Sequence, residues 1–388
     1  MAPLRSLALI GLLLPCYCPA AGLYLYELGT DDVGLASAGS AARAQDAATI
    51  ATNPAGMTRL AGDVTTLGLQ GLYGDTHYQM ANGNLDSPSD SIIGWFPGGS
   101  AFYSHSLDDR WNVGLGLYGN FGLSLDFGDW SGSDILKDCT LMAMSLQPSV
   151  AYRLNDAWSV GLGLTANYGI FALKGAKDSG LDISDTDWAP GYKLGLLYQP
   201  RADLRLGLAY SSHVTYRFAD TGLSEAIQDL PLSGKVVAPQ QLMLSGVYSV
   251  SPRVDLLANL GWQDWSVYNK NQVWIGEYSK PSTDLLHDTW HLALGLQNHI
   301  EPRWTLNMGV AFDSSIYKDQ DNALLAMPSG DTVRLGVGGR YTFDDHNSLG
   351  IALELAQVDG STVQGNLLGG HYNPSTLYFI AISYGHKS

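Results

Sequence analysis

The sequence predicts an all-β protein, a 14-stranded antiparallel transmembrane β-barrel with an N-terminal hatch (a plug) inside the lumen. Three observations lead to this prediction. Apolar side chains alternate with small or polar ones along many segments, short turns alternate with long polar loops, and a short apolar leader precedes them. A period of two is typical of strands with one apolar face, and such strands cross outer membranes as closed barrels.

The composition agrees with a β-rich membrane protein. Only 15% of the 388 residues are charged, against about 25% in ordinary soluble domains. The chain also contains 45 glycines, 21 tyrosines and 10 tryptophans, and its mean hydropathy of -0.01 is too low for a bundle of transmembrane helices. The net charge of -16 provides no basic stripe for phosphates, which excludes nucleic acid as a partner.

Residues 1–20 predict a secretory signal peptide. Arg5 supplies the positive start, residues 7–14 form an apolar run, and Ala20 ends a small-residue cleavage site. The apolar run is less than half of the about 20 residues that a membrane-spanning helix needs. We therefore expect an exported chain that begins at residue 21.

The barrel is predicted over residues 63–388. Six short turn signals punctuate the alternating runs, at 107–110, 154–157, 199–203, 251–253, 301–303 and 343–347. Seven longer polar stretches lie between them, at 75–91, 123–138, 173–187, 217–235, 266–287, 313–331 and 358–375. Short turns that alternate with long loops are typical of the periplasmic and extracellular ends of an outer-membrane barrel, and these turns and loops join fourteen strands.

Residues 21–62 precede the first strand and lack its alternation. They are rich in alanine and glycine. A fourteen-stranded barrel has a lumen too wide for its wall side chains to fill, so an open pore or a plug is expected. We expect this segment to fold into the lumen as the hatch.

Several blocks of the sequence resemble the FadL/TodX family of outer-membrane transporters for long-chain fatty acids and other hydrophobic compounds. The most specific is the triplet Asn53, Pro54 and Ala55 about 30 residues into the mature chain, a feature of the family's hatch. Further similar blocks lie at residues 151–163 and 304–313. The resemblance runs from Ala21 to about Gln364.

The resemblance implies a multi-pass barrel in the outer membrane of a Gram-negative cell. Its partners would be outer-membrane lipid and lipopolysaccharide, the outer-membrane assembly machinery, and a hydrophobic small-molecule ligand. In the family, extracellular loops capture the ligand, the lumen binds it, and it leaves sideways through a kink in strand 3. The matching residues are Gly119, Asn120, Phe121 and Gly122, where glycines weaken the strand ladder and permit a bend. The alternative is that strand 3 simply ends there.

A fatty carboxylate would need one or two cations at the end of an apolar pocket. Strand parity directs Lys193, Arg217 and Arg334 into the lumen, because a charge facing lipid costs about 2–4 kcal/mol at the midplane. The resemblance adds Lys174, although Gly175 beside it departs from the family pattern. The alternative role for these cations is a salt-bridge network between hatch and wall, with Asp31, Asp32 and Asp46 as partners.

A surface capture groove is predicted in the second long loop, from Leu123, Leu125, Phe127 and Trp130. Two other functions stay open: uptake of monoaromatic, toluene-like hydrocarbons, and a structural or receptor barrel whose hatch never moves. An enzyme is not expected, since the sequence has no Gly-x-Ser-x-Gly motif and no phosphate loop. No cofactor or metal site is predicted either.

The C-terminus departs from the usual barrel pattern of a final aromatic residue. The last alternating run reaches Tyr384, but the chain continues for four residues to Ser388. Either Tyr384 acts as the terminal aromatic signal, or the barrel tolerates a tail.

Overall fold

The computed structural model describes residues 24–179, 181–218, 232–270, 272–275, 278–281 and 284–388, so the predicted signal peptide lies outside the described residues. Fourteen antiparallel strands form a closed barrel, which confirms the predicted all-β barrel and its strand number. Each strand pairs with its neighbours in sequence, and the last closes on the first. The strands are β1 (Asp63–Asp75), β2 (Gly94–Ser106), β3 (Trp111–Asp126), β4 (Asp138–Arg153), β5 (Trp158–Lys174), β6 (Asp182–Arg201), β7 (Leu204–Ser211), β8 (Gln241–Ser251), β9 (Val254–Gln263), β10 (Thr289–Glu301), β11 (Trp304–Asp313), β12 (Thr332–Thr342), β13 (Asn347–Val358) and β14 (Ser375–Lys387).

The barrel wall is apolar outside and polar inside. Leu294 on β10 and Ile351 on β13 face outward and are more than half exposed, at 64% and 55%. Inward-facing neighbours such as Gln147, Asn307 and Glu354 are buried. This arrangement is the reverse of a soluble sandwich and suits strands that face lipid. Among the described residues, no helix is long and apolar enough to cross a bilayer.

The six predicted short turns all separate consecutive barrel strands. Two of the predicted long loops overlap long stretches of barrel strand, because β3 continues to Asp126 and β6 already begins at Asp182. The expected loop boundaries at 123 and 187 were therefore wrong. Alternation persists in these stretches, but serine, glycine and aspartate conceal it.

Short elements outside the wall organise the long loops. One small sheet joins Tyr78–Met80, Gly370–Tyr372 and Ser361–Val363. A second joins Val214–Phe218, Leu232–Ala238, Gln272–Ile275 and Tyr278–Pro281, and 3₁₀ helices span Trp265–Lys270 and Gln320–Asn322.

The C-terminal residues belong to the last strand. Lys387 lies opposite Val64 on β1, and the register on β13 extends to His386. The backbone N–H of Ser388 donates to the Asp63 carbonyl at 2.9 Å. The residues after Tyr384 therefore complete the β1–β14 seam and do not form a loose tail.

Residues 24–62, called here the N-terminal segment, contain little regular structure. Its helices are short: α1 (Thr30–Gly34), α2 (Thr49–Thr52) and a 3₁₀ helix (Pro54–Arg59). Most of the segment is nevertheless buried. The burial comes from the barrel, since the segment's helices contact strands on several sides of the wall.

Inward-facing glycines allow this close contact. A Cβ on Gly309 would overlap the Leu35 carbonyl, and one on Gly207 would overlap the Ala41 carbonyl. Gly161 lies in the same way against the backbone of Pro54 and Ala55. At these positions the backbone of the N-terminal segment rests directly on the backbone of the wall.

The variant Gly309→Ala tests this packing. The added methyl group forces Leu35 away from β11, and we expect the free energy of unfolding to fall by about 1–3 kcal/mol, the usual cost of overpacking. The measurement is a urea unfolding curve of the protein refolded into lipid vesicles. Gly246→Ala is the matched control, since its Cβ would meet only Leu206 Cδ2 at 3.5 Å. Equal losses in both variants would contradict the interpretation.

Candidate functional site

The strand ladder of the wall is interrupted between β2 and β3. The β2–β3 register runs from Ser106–Asn112 to Ser100–Tyr118 and stops there. Beyond this pair, residues 94–99 of β2 remain paired with β1, and residues 119–126 of β3 remain paired with β4. The two edges meet again where the Asp126 N–H donates to the Ile92 carbonyl at 2.8 Å. The gap between these two connections is called the window.

A bulge in β3 produces the window. The β3–β4 register shifts between Gly119 and Phe121, so β3 bends away from β2. Gly122 has a φ of 96°, in the left-handed region that favours glycine, and a Cβ there would overlap the Leu141 carbonyl. The predicted kink residues thus lie inside a continuing strand, and the alternative that strand 3 ends at Gly119 was wrong.

The start of the N-terminal segment lies at the window. Tyr24 forms an isolated antiparallel bridge with Phe121, on the edge of β3 that β2 has left. Their rings are 6.5 Å apart, and Phe121 also stacks on Trp265 at 6.4 Å. Residues of the segment therefore occupy the free edge of the bulged strand.

A small cavity, partly open to solvent, lies at the long-loop end of the barrel beside these residues. Aromatic rings and hydroxyl groups form much of its lining, and Asp313, Arg334 and Asp359 form its charged part. Burial raises the pKa of the Tyr372 phenol well above its ordinary value, so this lining group stays neutral. Its hydroxyl donates to the Leu325 carbonyl. The cavity thus combines apolar surface with hydrogen-bonding groups, as small-molecule sites do.

Arg334 lies at the centre of a buried ionic cluster. Its guanidinium contacts Asp313 Oδ2 at 2.6 Å, Glu354 Oε1 at 2.9 Å, and Glu27 of the N-terminal segment. Asp313 also accepts from His291 Nδ1 at 2.6 Å. A carboxylate ligand would have to displace one of these partners, so Arg334 is not a vacant cation. The sequence predicted its inward orientation and missed Glu27.

Lys193 is also engaged by the N-terminal segment. Its ammonium group donates to the Ala51 carbonyl and lies 5.6 Å from the centre of the Tyr118 ring. Arg340 binds Asp31 and Asp46 in the same segment. These contacts match the alternative in which inward-facing cations join the N-terminal segment to the wall.

The other two candidate cations lie elsewhere. Lys174 ends β5, and Arg217 lies in the small strand Val214–Phe218; both side chains are exposed. The Arg217 backbone N–H donates to Asp187 Oδ2 at 2.7 Å. The structure therefore does not bring the four predicted ligand-binding cations together, and their role in ligand binding stays a prediction.

The Asn-Pro-Ala triplet joins three parts of the molecule. Asn53 Oδ1 accepts from the Ala55 N–H at 3.1 Å, and Nδ2 donates to the carbonyls of Ala41 at 2.6 Å and Leu196 at 3.1 Å. Pro54 begins the 3₁₀ helix, where its missing N–H costs nothing. The triplet thus fixes two stretches of the N-terminal segment to β6.

The predicted surface groove is buried. Leu123, Leu125, Phe127 and Trp130 are each at most 5% exposed. Trp130 Nε1 donates to the Leu136 carbonyl at 2.7 Å, and its ring stacks on Phe127 at 5.6 Å. The prediction of an open groove was wrong because the loops around β3 cover this apolar stretch.

The β2 side of the window was not predicted from the sequence. Pro97, Gly98 and Gly99 form that edge, and such residues are unfavourable inside a paired strand. This run was the signal that could have located it. Within the described ranges, no group of three or more His, Cys, Asp and Glu residues could hold a metal ion.

A closed barrel with an apolar outer surface defines an outer-membrane barrel. The family model described as "Outer membrane protein transport protein (OMPP1/FadL/TodX)" matches residues 11–375, and the chain belongs to this family. The family transports hydrophobic compounds across the outer membrane, which agrees with the expectation of a non-enzymatic role.

Curated relatives have similar length. The chain is 26% identical to a long-chain fatty acid transport protein of Salmonella typhi, over 89% of each chain. It is 28% identical to outer membrane protein P1 of Haemophilus influenzae, over 89% of this chain and 87% of that protein.

Two solved structures share the fold. A Pseudomonas aeruginosa FadL homologue superposes with a TM-score of 0.78 at 20% identity, over 95% of this chain and all of that one. The Ralstonia pickettii toluene transporter TbuX superposes with a TM-score of 0.70 at 16% identity, over 94% and 99% of the two chains.

The variant Asn53→Ala tests the triplet. It leaves the buried carbonyls of Ala41 and Leu196 without this donor, which costs about 1–3 kcal/mol for an unsatisfied buried group. We expect faster hydrogen exchange in residues 53–60, measured by mass spectrometry in lipid. Asn82→Ala, at an exposed loop residue, is the control and should leave that exchange unchanged. Protection in Asn53→Ala equal to that of the parent chain would overturn the assignment.

Proposed function

We propose that this chain takes up long-chain fatty acids or similar hydrophobic compounds passively and releases them sideways into the outer membrane. The extracellular loops capture the ligand, the cavity beside Arg334 binds it, and the window lets it leave. The interrupted β2–β3 ladder carries this proposal. Lateral release keeps an apolar chain out of water, where exposure costs about 0.8 kcal/mol for each CH₂ group.

The N-terminal segment is proposed to act as the hatch. Its contacts with several sides of the wall support an axial block, which leaves the side of the barrel as the way out. Tyr24 at the free edge of β3 supports a second task, control of the window. The relatives called long-chain fatty acid transport proteins favour a fatty acid as ligand.

Uptake of uncharged compounds such as monoaromatic hydrocarbons is the second candidate function. Arg334 and Lys193 are already bound to carboxylate or carbonyl oxygens, so a fatty carboxylate finds neither of them vacant. An uncharged aromatic ligand needs no cation. The toluene transporter among the solved structures supports the fold for such a ligand without deciding the substrate.

The variant Gly98→Trp tests lateral release. Gly98 is on the β2 edge of the window and has room for a side chain, since an added Cβ would lie 3.4 Å from Gln70 Oε1. Gly122 is unsuitable, because its positive φ makes any substitution a backbone perturbation. We expect Gly98→Trp to reduce ligand uptake to the level of the empty strain while the barrel still folds.

The measurement is uptake of a labelled long-chain fatty acid and of labelled toluene by a transporter-deficient strain that expresses each variant. Gly83→Trp, in an exposed loop with open space around it, is the matched control and should retain uptake. Uptake of toluene without uptake of fatty acid by the parent chain would favour the second candidate. Uptake of neither compound by the parent chain would indicate a structural or receptor barrel with an immobile hatch.

A further inference from the structure

The cluster around Arg334 holds more negative than positive charge. Three carboxylates, from Glu27, Asp313 and Glu354, contact one guanidinium group. The remaining basic partner is His291, bound to Asp313. Even with a protonated imidazole, the carboxylates exceed the cations by one. Buried charges without a partner are costly, so the excess requires a further positive charge or a proton.

The excess negative charge lies at Glu27 and Glu354. Asp313 has two basic partners, whereas Glu27 and Glu354 both contact the same Arg334 nitrogen, Nη1. Because both Oε1 atoms lie against one guanidinium nitrogen, the two buried carboxyl groups are close neighbours. Glu27 is 4% exposed, and its Oε2 is buried without a hydrogen-bond partner among the described residues. Two ionised carboxylates on one nitrogen repel each other, and one proton held by the pair removes that repulsion.

We propose that Glu27 and Glu354 share one proton, and that Glu354 thereby positions the start of the N-terminal segment at the window. Glu27 lies three residues from Tyr24, which bridges Phe121. With the proton present, Glu354 holds Glu27 against β13. Loss of the proton places two like charges in contact, and Glu27 leaves the wall together with the residues before it.

The surrounding groups do not supply the missing charge. Tyr26 stacks on His291 at 4.4 Å and contributes no cation. Arg340 on β12 is bound to Asp31 and Asp46, and Arg43 is bound to Asp32 within the segment. Facing Glu354 from β14 is Phe379, which does not titrate. A proton held by the Glu27–Glu354 pair therefore balances the charge of the cluster.

The direction of the pH dependence follows from where the proton is bound. The closed arrangement holds the proton, and the open arrangement releases it above the ordinary carboxyl range. Closure is therefore favoured at low pH and weakens as pH rises, by up to about tenfold per pH unit in the opening equilibrium. The proposal rests on the proposed function only for its link to the window, since the motion can be measured without any ligand.

The experiment is hydrogen exchange of the peptide covering residues 24–35, in lipid, between about pH 6 and about pH 9, as protection factors corrected for intrinsic exchange. We expect protection in the parent chain to fall as pH rises. In Glu354→Gln an amide N–H replaces the proton as donor to Glu27, and the protection should not depend on pH. Glu27→Gln makes the same change from the N-terminal side and leaves the wall intact.

Asp255→Asn is the matched control. It removes a wall carboxylate that pairs with His299 at 3.1 Å, away from the cluster, and should retain the pH dependence of the parent chain. A parent chain without pH dependence, or glutamine variants that keep it, would overturn the proposal. Absent ligand uptake with an intact pH dependence would refute the transport function and leave the shared proton standing.

Discussion

The structure depends on one constraint: charged groups on the inner face of a membrane-embedded wall need partners that the wall alone does not supply. The outward positions are apolar because they face lipid, so polar and charged side chains collect inside. Arg334 pairs with Glu27, Arg340 with Asp31, and Lys193 with the Ala51 carbonyl. Because removal of one partner from a buried pair costs about 3–5 kcal/mol, the wall and the N-terminal segment stabilise each other.

The same dependence holds for the backbone of the segment. Its helices are too short to satisfy their own peptide groups, and wall side chains complete them. The Gly39 N–H donates to Asn259 Oδ1 at 2.8 Å, and the Ala41 N–H donates to Ser245 Oγ at 3.0 Å. Ala36 and Ser37 adopt left-handed conformations that a free chain would leave. The segment therefore has its structure only inside this wall.

The window is where the wall departs from a continuous ladder. An open strand edge is unfavourable in a membrane, where water does not satisfy free peptide groups. The bulge at Gly119–Phe121 creates such an edge, and the bridge from Tyr24 pairs part of it. A residue of the N-terminal segment thus stabilises this interruption of the ladder. Closure of the window and attachment of the segment are consequently physically linked.

The amino-acid sequence by itself determined the barrel, its fourteen strands and the lipid-facing side of each strand. These properties are local, since a period of two or a turn signal acts on its immediate neighbours. Resemblance to a known family added the prediction that strand 3 bends at Gly119–Gly122 and that the bend opens the wall.

Only the tertiary structure decided which groups meet across the lumen. Glu27 and Arg334 are separated by 307 positions in sequence, and no local pattern predicts their contact. The burial of Phe127 and Trp130 was equally beyond sequence reasoning, because it depends on loops that fold over them. Such contacts depend on how the barrel closes and on the path of the segment inside it. Both set distances between residues that are far apart in sequence, and local sequence patterns do not encode those distances.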